Sequence, residues 1–267
     1  MVQKSGKQRY FIIEGNIGAG KSTFLKMLKQ YLNIQAVVEP HEQWQNIGDG
    51  HNILEKFYMD PKRWAYTFQS YAFVSRVMNQ QAHARINPYA IQVLERSVFS
   101  DRYCFAENAY ELGYMNALEW KLYKEWFSWL VDTYMSQPEG FIYLKTKPEI
   151  CYERLRKRSR HEEATVSLEY ISKLHDKHEK WLIAKEGVAP ALKDVPVLVL
   201  DCDSEFENNR AEQERHVQDG CVSYAAYSWR YSSIAYFTNI NMKPCKKKEN
   251  SVRIVMKTPL GSAVMGD

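Results

Sequence analysis

The chain has 267 residues, 45 % of them hydrophobic, which suits one α/β domain with a sizeable core, with or without an appendage. No apolar run approaches 18 residues, so no membrane-spanning helix is expected, and nine residues before the first apolar run leave no room for a signal peptide. The net charge of +4 is unevenly placed: residues 220–267 hold seven Lys/Arg against two Asp/Glu, the rest 29 against 30, and a nearly neutral body argues against a general nucleic-acid grip.

The first apolar run, YFIIE (10–14), reads as a buried strand. It leads straight into GNIGAGKS (15–22), a G-x-x-x-x-G-K-[ST] pattern followed by a helical pattern. In that context glycines let the backbone turn its N–H groups around a polyphosphate, Lys21 reaches the β and γ oxygens, and the Ser22 hydroxyl ligates Mg²⁺. The expected donor is ATP or another nucleoside triphosphate. The second strand, QAVVE (35–39), closes on Glu39, and Pro40 ends it. Ligands gather at the carboxyl ends of parallel strands, so Glu39 is expected in the crevice, where it would accept a hydroxyl proton.

A long helix is expected over 61–85, then a strand in AIQVLE (90–95). LERSVFSDRY (94–103) packs Glu95, Arg96, Asp101 and Arg102 together, either as a structural ion-pair network or as a site. At a strand end facing a phosphate loop the second reading gains weight, with Arg96 on a transferring phosphoryl and Glu95 on the metal's water. A helix over 116–137 and the strand FIYLK (141–145) follow. YERLRKRSRHEE (152–163) then places five cations in seven residues, a solvated helix or a flap that closes on a triphosphate. A helix over 167–185, capped by Ser167, and the strand VPVLVLD (195–201) complete the pattern. Strands alternating with helices predict a doubly wound α/β layer structure over 1–219. Residues 220–267 form a basic, Ser/Tyr-rich extension with no assigned role. Five cysteines without CxxC or zinc spacing read as reduced thiols in a cytoplasmic protein.

Five segments in order, GNIGAGKST, VVEP, W-x-YTFQSYAFVSR, ERSVFSDRYCFA and LRKRSRHEEATVSLEYISKLHDKHEKWL, closely resemble the deoxyribonucleoside kinase family over about residues 9–206, its deoxycytidine and deoxyguanosine kinase branch most of all. The resemblance implies a three-layer P-loop kinase fold, thymidylate-kinase-like, with a five-stranded parallel sheet flanked by helices. It implies transfer of a γ-phosphate to the 5′-hydroxyl of a deoxynucleoside, and homodimers formed through a helical face.

Residue by residue, it makes Glu39 the general base, with Arg96 and Lys21 beside the transferred phosphoryl. Gly15, Asn16, Ile17, Gly18, Ala19, Gly20, Lys21, Ser22 and Thr23 would form the donor loop. Arg154, Arg158 and Arg160 would clamp its phosphates, and Glu205 and Phe206 would cover its base. Gln69 would pair with the acceptor base between Trp44, Phe68 and Phe105, while Tyr58 and Glu163 would take the sugar 3′-hydroxyl. Ala72, Arg76 and Asp101 fall where the family tells bases apart, a pattern resembling enzymes for deoxycytidine and purine deoxynucleosides. A nucleoside-monophosphate kinase and a non-catalytic nucleotide-binding subunit of the same fold are the competing readings.

Overall fold

The structure, a computed structural model, describes residues 9–88, 90–216 and 253–255. Among the described residues no helix is long and apolar enough to cross a membrane.

The chain opens with β1 (Tyr10–Glu14), whose side chains are buried except for Phe11. Helix α1 (Lys21–Tyr31), β2 (Gln35–Val37), and the short helices α2 (His41–Gln45) and α3 (Ile53–Met59) follow. Next come α4 (Pro61–Ile86) and β3 (Gln92–Glu95). Then α5 (Val98–Ser100) runs through a π-helical turn (Asp101–Ala106) into α6 (Glu107–Glu111). Helix α7 (Ala117–Tyr134) precedes β4 (Gly140–Lys145) and α8 (Pro148–Arg158). A 3₁₀ turn (His161–Glu163) leads to α9 (Leu168–His178), then α10 (Pro190–Lys193) and β5 (Val197–Asp201).

The sheet order is β2-β3-β1-β4-β5, all parallel, and β6 (Arg253–Val255) adds an antiparallel strand beside β5. Five parallel strands match the sequence reading. The sixth comes from the extension, whose other residues lie outside those described. β1 is central, with Ile12 level with both Leu94 of β3 and Phe141 of β4. Its two neighbours come later in the chain and lie on opposite sides, so the crossovers diverge at its carboxyl end and leave a crevice there.

Local chemistry sets the helix ends. Asp60 accepts from the Arg63 amide at 3.3 Å, with Pro61 in the first turn of α4. Asn116 and Glu119 form a capping box at α7, and Ser167 caps α9 as its position suggested. Several boundaries differ from expectation, as in the second strand and the last long helix. The second strand stops at Val37, because Pro40 cannot donate to a ladder and Val38 is exposed. The helix expected over 167–185 becomes α9 plus a π-helical turn at Glu179–Ile183.

Candidate active site

A cleft of about 800 Å³ opens at the carboxyl ends of β1, β2 and β3. The loop after β1 forms its floor. Gly18 has φ +82°, and a Cβ there would fall 2.2 Å from the Cys151 carbonyl oxygen of α8. A Cβ on Gly20, at φ +91°, would fall 2.7 Å from the Phe206 ring. Loop, α8 and the segment after β5 therefore approach as closely as glycine allows. Lys21 is buried, with Nζ donating to the Asn16 carbonyl at 2.7 Å. Burial, helped by Arg96 and opposed by Glu39 and Glu95, lowers its pKa to about 7. Ile17, Ser22 and Thr23 line the cleft with Gly18, Gly20 and Lys21. Gly15, Asn16 and Ala19 are not among the lining residues. The Asn16 amide instead donates to the Ile171 carbonyl at 2.9 Å while its oxygen takes the Ile17 amide, which fixes the loop's shape.

The Ser22 hydroxyl donates to Glu95 Oε1 at 2.5 Å. A hydroxyl and a carboxylate converging at the loop mouth suit Mg²⁺, which takes one or two protein oxygens and completes its shell with phosphates and water. Among the described residues no cluster of three His, Cys, Asp or Glu could hold a metal ion by itself.

Across the floor stands a charged chain. Arg76 pairs with Glu39 through Nη2 and with Asp101 through Nε, the latter at 2.8 Å. Arg96 Nε lies 3.5 Å and His41 Nε2 3.7 Å from the same Glu39 carboxylate. Burial raises the Glu39 pKa, but Arg76, then Arg96, His41 and Lys21 together hold it well below the usual carboxylate range. Burial likewise works against the Arg76 charge, and Asp101 and Glu39 more than restore it. Arg96 sits at φ +62°, an uncommon conformation for a side-chain-bearing residue, with its amide bonded to the Ile13 carbonyl at 2.9 Å. That turn lays its guanidinium over the Phe105 ring, 4.7 Å from the centre. Behind it the fully buried Glu14 accepts from the Ser97 hydroxyl at 2.6 Å, and burial lifts its pKa to about 7 despite that bond and Arg96.

The far wall is aromatic. Phe57 and Phe68 stack at 5.0 Å, and Trp44 meets Phe68 edge-on at 5.6 Å, its indole N–H on Ser75 Oγ at 2.8 Å. Ala72, Tyr58 and Gln69 share this wall. Gln69 is buried, and its Nε2 has no hydrogen-bond partner among the described residues. An orphaned buried donor on a cleft wall is chemistry left for a ligand.

The cationic segment closes the mouth, already engaged. Arg158 Nη2 donates to both Glu163 oxygens, at 2.6 and 2.7 Å, and Arg160 lies 3.7 Å from the same carboxylate. Sequence had divided these residues between two substrates, phosphate for the arginines and sugar for Glu163, whereas here they hold each other. Arg154 donates to the carbonyls of Cys202 at 2.9 Å and of Asp203 and Ser204 at 3.0 Å. It thereby tethers the stretch bearing Glu205 and Phe206, which also line the cleft. Lining residues that sequence had not singled out include His41, Leu54, Phe57 and Tyr170.

A glycine cradle with a buried lysine, facing across one cleft a carboxylate held between arginines, defines a P-loop phosphotransferase. The family model described as deoxynucleoside kinase matches residues 11–220. The chain is 43% identical to deoxycytidine kinase 2 of Gallus gallus over 229 residues, 77% of this chain and 86% of that protein. It is 41% identical to the mitochondrial deoxyguanosine kinase of Xenopus laevis over 227 residues, 74% and 83% of the two chains. It is also 41% identical to human deoxycytidine kinase over 219 residues, 73% and 84%. The chain belongs to the deoxynucleoside kinase family and is an enzyme that phosphorylates deoxynucleosides with a nucleoside triphosphate as donor. These matches favour that activity over a monophosphate kinase or a non-catalytic subunit.

Proposed function

We propose that the enzyme transfers the γ-phosphoryl of ATP to the 5′-hydroxyl of deoxycytidine or a purine deoxynucleoside. Glu39 accepts the hydroxyl proton as the 5′-oxygen attacks the γ-phosphorus and the bond to the β-phosphate breaks, with Arg96 and Lys21 neutralising the moving charge. Mg²⁺ held by Ser22 and Glu95 would supply further charge neutralisation on the donor phosphates. Arg158 and Arg160 would take those phosphates once they leave Glu163, which is then available to the sugar with Tyr58. The carrying observation is that Glu39 and Lys21 line one cleft with Arg96 beside the carboxylate.

The Arg76–Asp101 pair supports the base preference. An exocyclic amine can donate to Asp101, and Arg76 can donate to a ring nitrogen or carbonyl. Thymine carries a carbonyl where cytosine has its amine, and it would leave buried charge unmatched at a cost of about 2–5 kcal/mol. With ATP–Mg²⁺ and a panel of four deoxynucleosides, kcat/KM for thymidine is expected to fall on the order of 30-fold or more below the best acceptor. Parity for thymidine would refute the role given to the pair. Deoxycytidine monophosphate in the same panel is expected to be a poor acceptor.

A homodimer is part of the same proposal. Helices α4 and α7 pack through Phe73 and Tyr123, 5.1 Å apart, yet expose Met78, Leu118, Trp126 and Trp129. Both tryptophans are 52% exposed and meet edge-on at 6.3 Å, and exposed apolar side chains gathered on two packed helices suit a protein interface. Trp126→Glu with Trp129→Glu is expected to halve the mass seen by light scattering, and an unchanged mass would remove this face from the interface. A cytoplasmic location is proposed as well, in keeping with the free, buried thiols of Cys104, Cys151 and Cys202.

A further inference from the structure

The flap and the acceptor carboxylate meet at a side chain to which the proposed reaction gives no task. His41 opens α2 just after Glu39 and Pro40, lines the cleft, and packs tilted against Trp44 with 5.3 Å between ring centres. Its Nε2 lies 3.3 Å from Arg160 Nη1 and 3.7 Å from Glu39 Oε2. A guanidinium only donates, so the contact with Arg160 requires an unprotonated Nε2 and places the ring proton on Nδ1. Nδ1 is buried without a partner among the described residues, so nothing else there fixes the tautomer. A protonated Nε2 would instead donate to Glu39 and repel Arg160. One nitrogen therefore has two partners it cannot serve together.

We propose that His41 is a positioning residue that docks Arg160 of the flap against the Glu39 side of the cleft, and that protonating its ring releases the flap. The proposal rests on Arg160 acting on the donor phosphates. Among the described residues the Arg160 side chain has one other anchor, the Glu163 carboxylate at 3.7 Å, and Arg158 already occupies both of that carboxylate's oxygens. Without His41 the second flap cation would share a saturated partner. The charged groups acting on the ring are Glu39 after β2, Arg160 and Glu163 from the flap, and Arg76 from α4. Burial, partly offset by Glu39 and reinforced by Arg160, keeps its pKa below the ordinary 6.5. The ring is thus neutral and able to accept from Arg160 near pH 7.5, and loses that ability as pH falls.

The test is steady-state kinetics with ATP–Mg²⁺ varied at saturating levels of the best acceptor, together with a melting curve for each variant. His41→Ala is expected to raise the donor KM about 10-fold, the size of one charge-assisted hydrogen bond, with less effect on kcat and acceptor KM. His41→Gln, whose side-chain oxygen stands in for Nε2, is expected to recover most of that loss. Donor kcat/KM of the native enzyme relative to His41→Gln should decline as pH is lowered from 7.5 toward 5. Lys21 gains its charge over the same range and favours the donor in both enzymes, so their ratio is the readout. His41→Ala with Arg160→Ala should be no worse than Arg160→Ala alone. The proposal is overturned if His41→Gln is as impaired as His41→Ala, because packing on Trp44 would then be the role. It is overturned too if Arg160→Ala weakens the donor while His41→Ala does not. Should Arg160→Ala leave the donor KM unchanged, the donor-side role of the flap fails first and takes this proposal with it. If His41→Ala does not fold, the native-to-His41→Gln ratio across pH decides alone, a pH-independent ratio counting against.

Discussion

Glu39→Ala is expected to lower kcat by about 10²- to 10⁴-fold, the range for removing a positioned base. Alanine alone does not isolate the proton, because Glu39 also neutralises Arg76 and lies 3.5 Å from Arg96, both buried. Removing the carboxylate leaves those cations short of a partner, which costs stability and acceptor binding as well. Glu39→Gln separates the two roles. It keeps an oxygen for the arginines but cannot take a proton, so kcat should stay low while the melting temperature recovers toward the native value. A Gln variant with more than about a tenth of native kcat would show that another group takes the proton, against the size expected for a positioned base. The depressed pKa carries a second consequence. Glu39 remains ionised throughout pH 5–8, so it contributes no acidic limb to kcat, and its weak basicity places proton transfer late, once the 5′-oxygen has begun to bond to phosphorus.

The parts legible in the sequence were those fixed by local chemistry. Three glycines, a lysine and a serine between a buried apolar strand and a helix admit one arrangement, and the structure adopts it with positive φ at Gly15, Gly18 and Gly20. Pro40 similarly marked the end of the second strand and so placed Glu39 at the crevice, although the strand itself stops two residues before Glu39, at Val37. Elements that exist only because of tertiary contacts were not legible. Helices α2 and α3 are five and seven residues long, too short to show a period or to be stable alone, so Phe57 drew no attention until it stacked on Phe68. A single histidine has no pattern, and His41 gained meaning only when the flap brought Arg160 to it. The Arg158–Glu163 pair spans five residues across a helix end and a 3₁₀ turn, outside the three-and-four spacing that would have advertised it. The π-helical turn at Asp101–Ala106 presents Asp101 and Phe105 to the same cleft, and ordinary helical periodicity gives no cue to it.

Lys21→Met is expected to lower kcat/KM for the donor by at least about 10²- to 10³-fold, the effect of deleting one preorganised charge at a phosphoryl site. The wild-type lysine also predicts a proton count. Within the cleft burial and Arg96 hold its pKa at about 7, so at pH 8 most molecules carry a neutral amine bonded to the Asn16 carbonyl. A bound triphosphate places several negative charges beside that amine and restores its preference for the charged form. Binding at pH 8 should therefore take up close to one proton, and binding at pH 6, where the lysine is already charged, should take up almost none through this group. Calorimetric titration of ATP–Mg²⁺ in buffers of different ionisation enthalpy reads that number as the slope of observed heat against buffer heat. Met at the same position removes the titrating group while keeping most of its volume, so the residual binding should lose this proton uptake. A native enzyme with no buffer dependence at pH 8 would mean that Lys21 is charged before the donor arrives, stabilised by Glu39 and Glu95 more than burial disfavours it, and the cleft would be electrostatically complete without its phosphate.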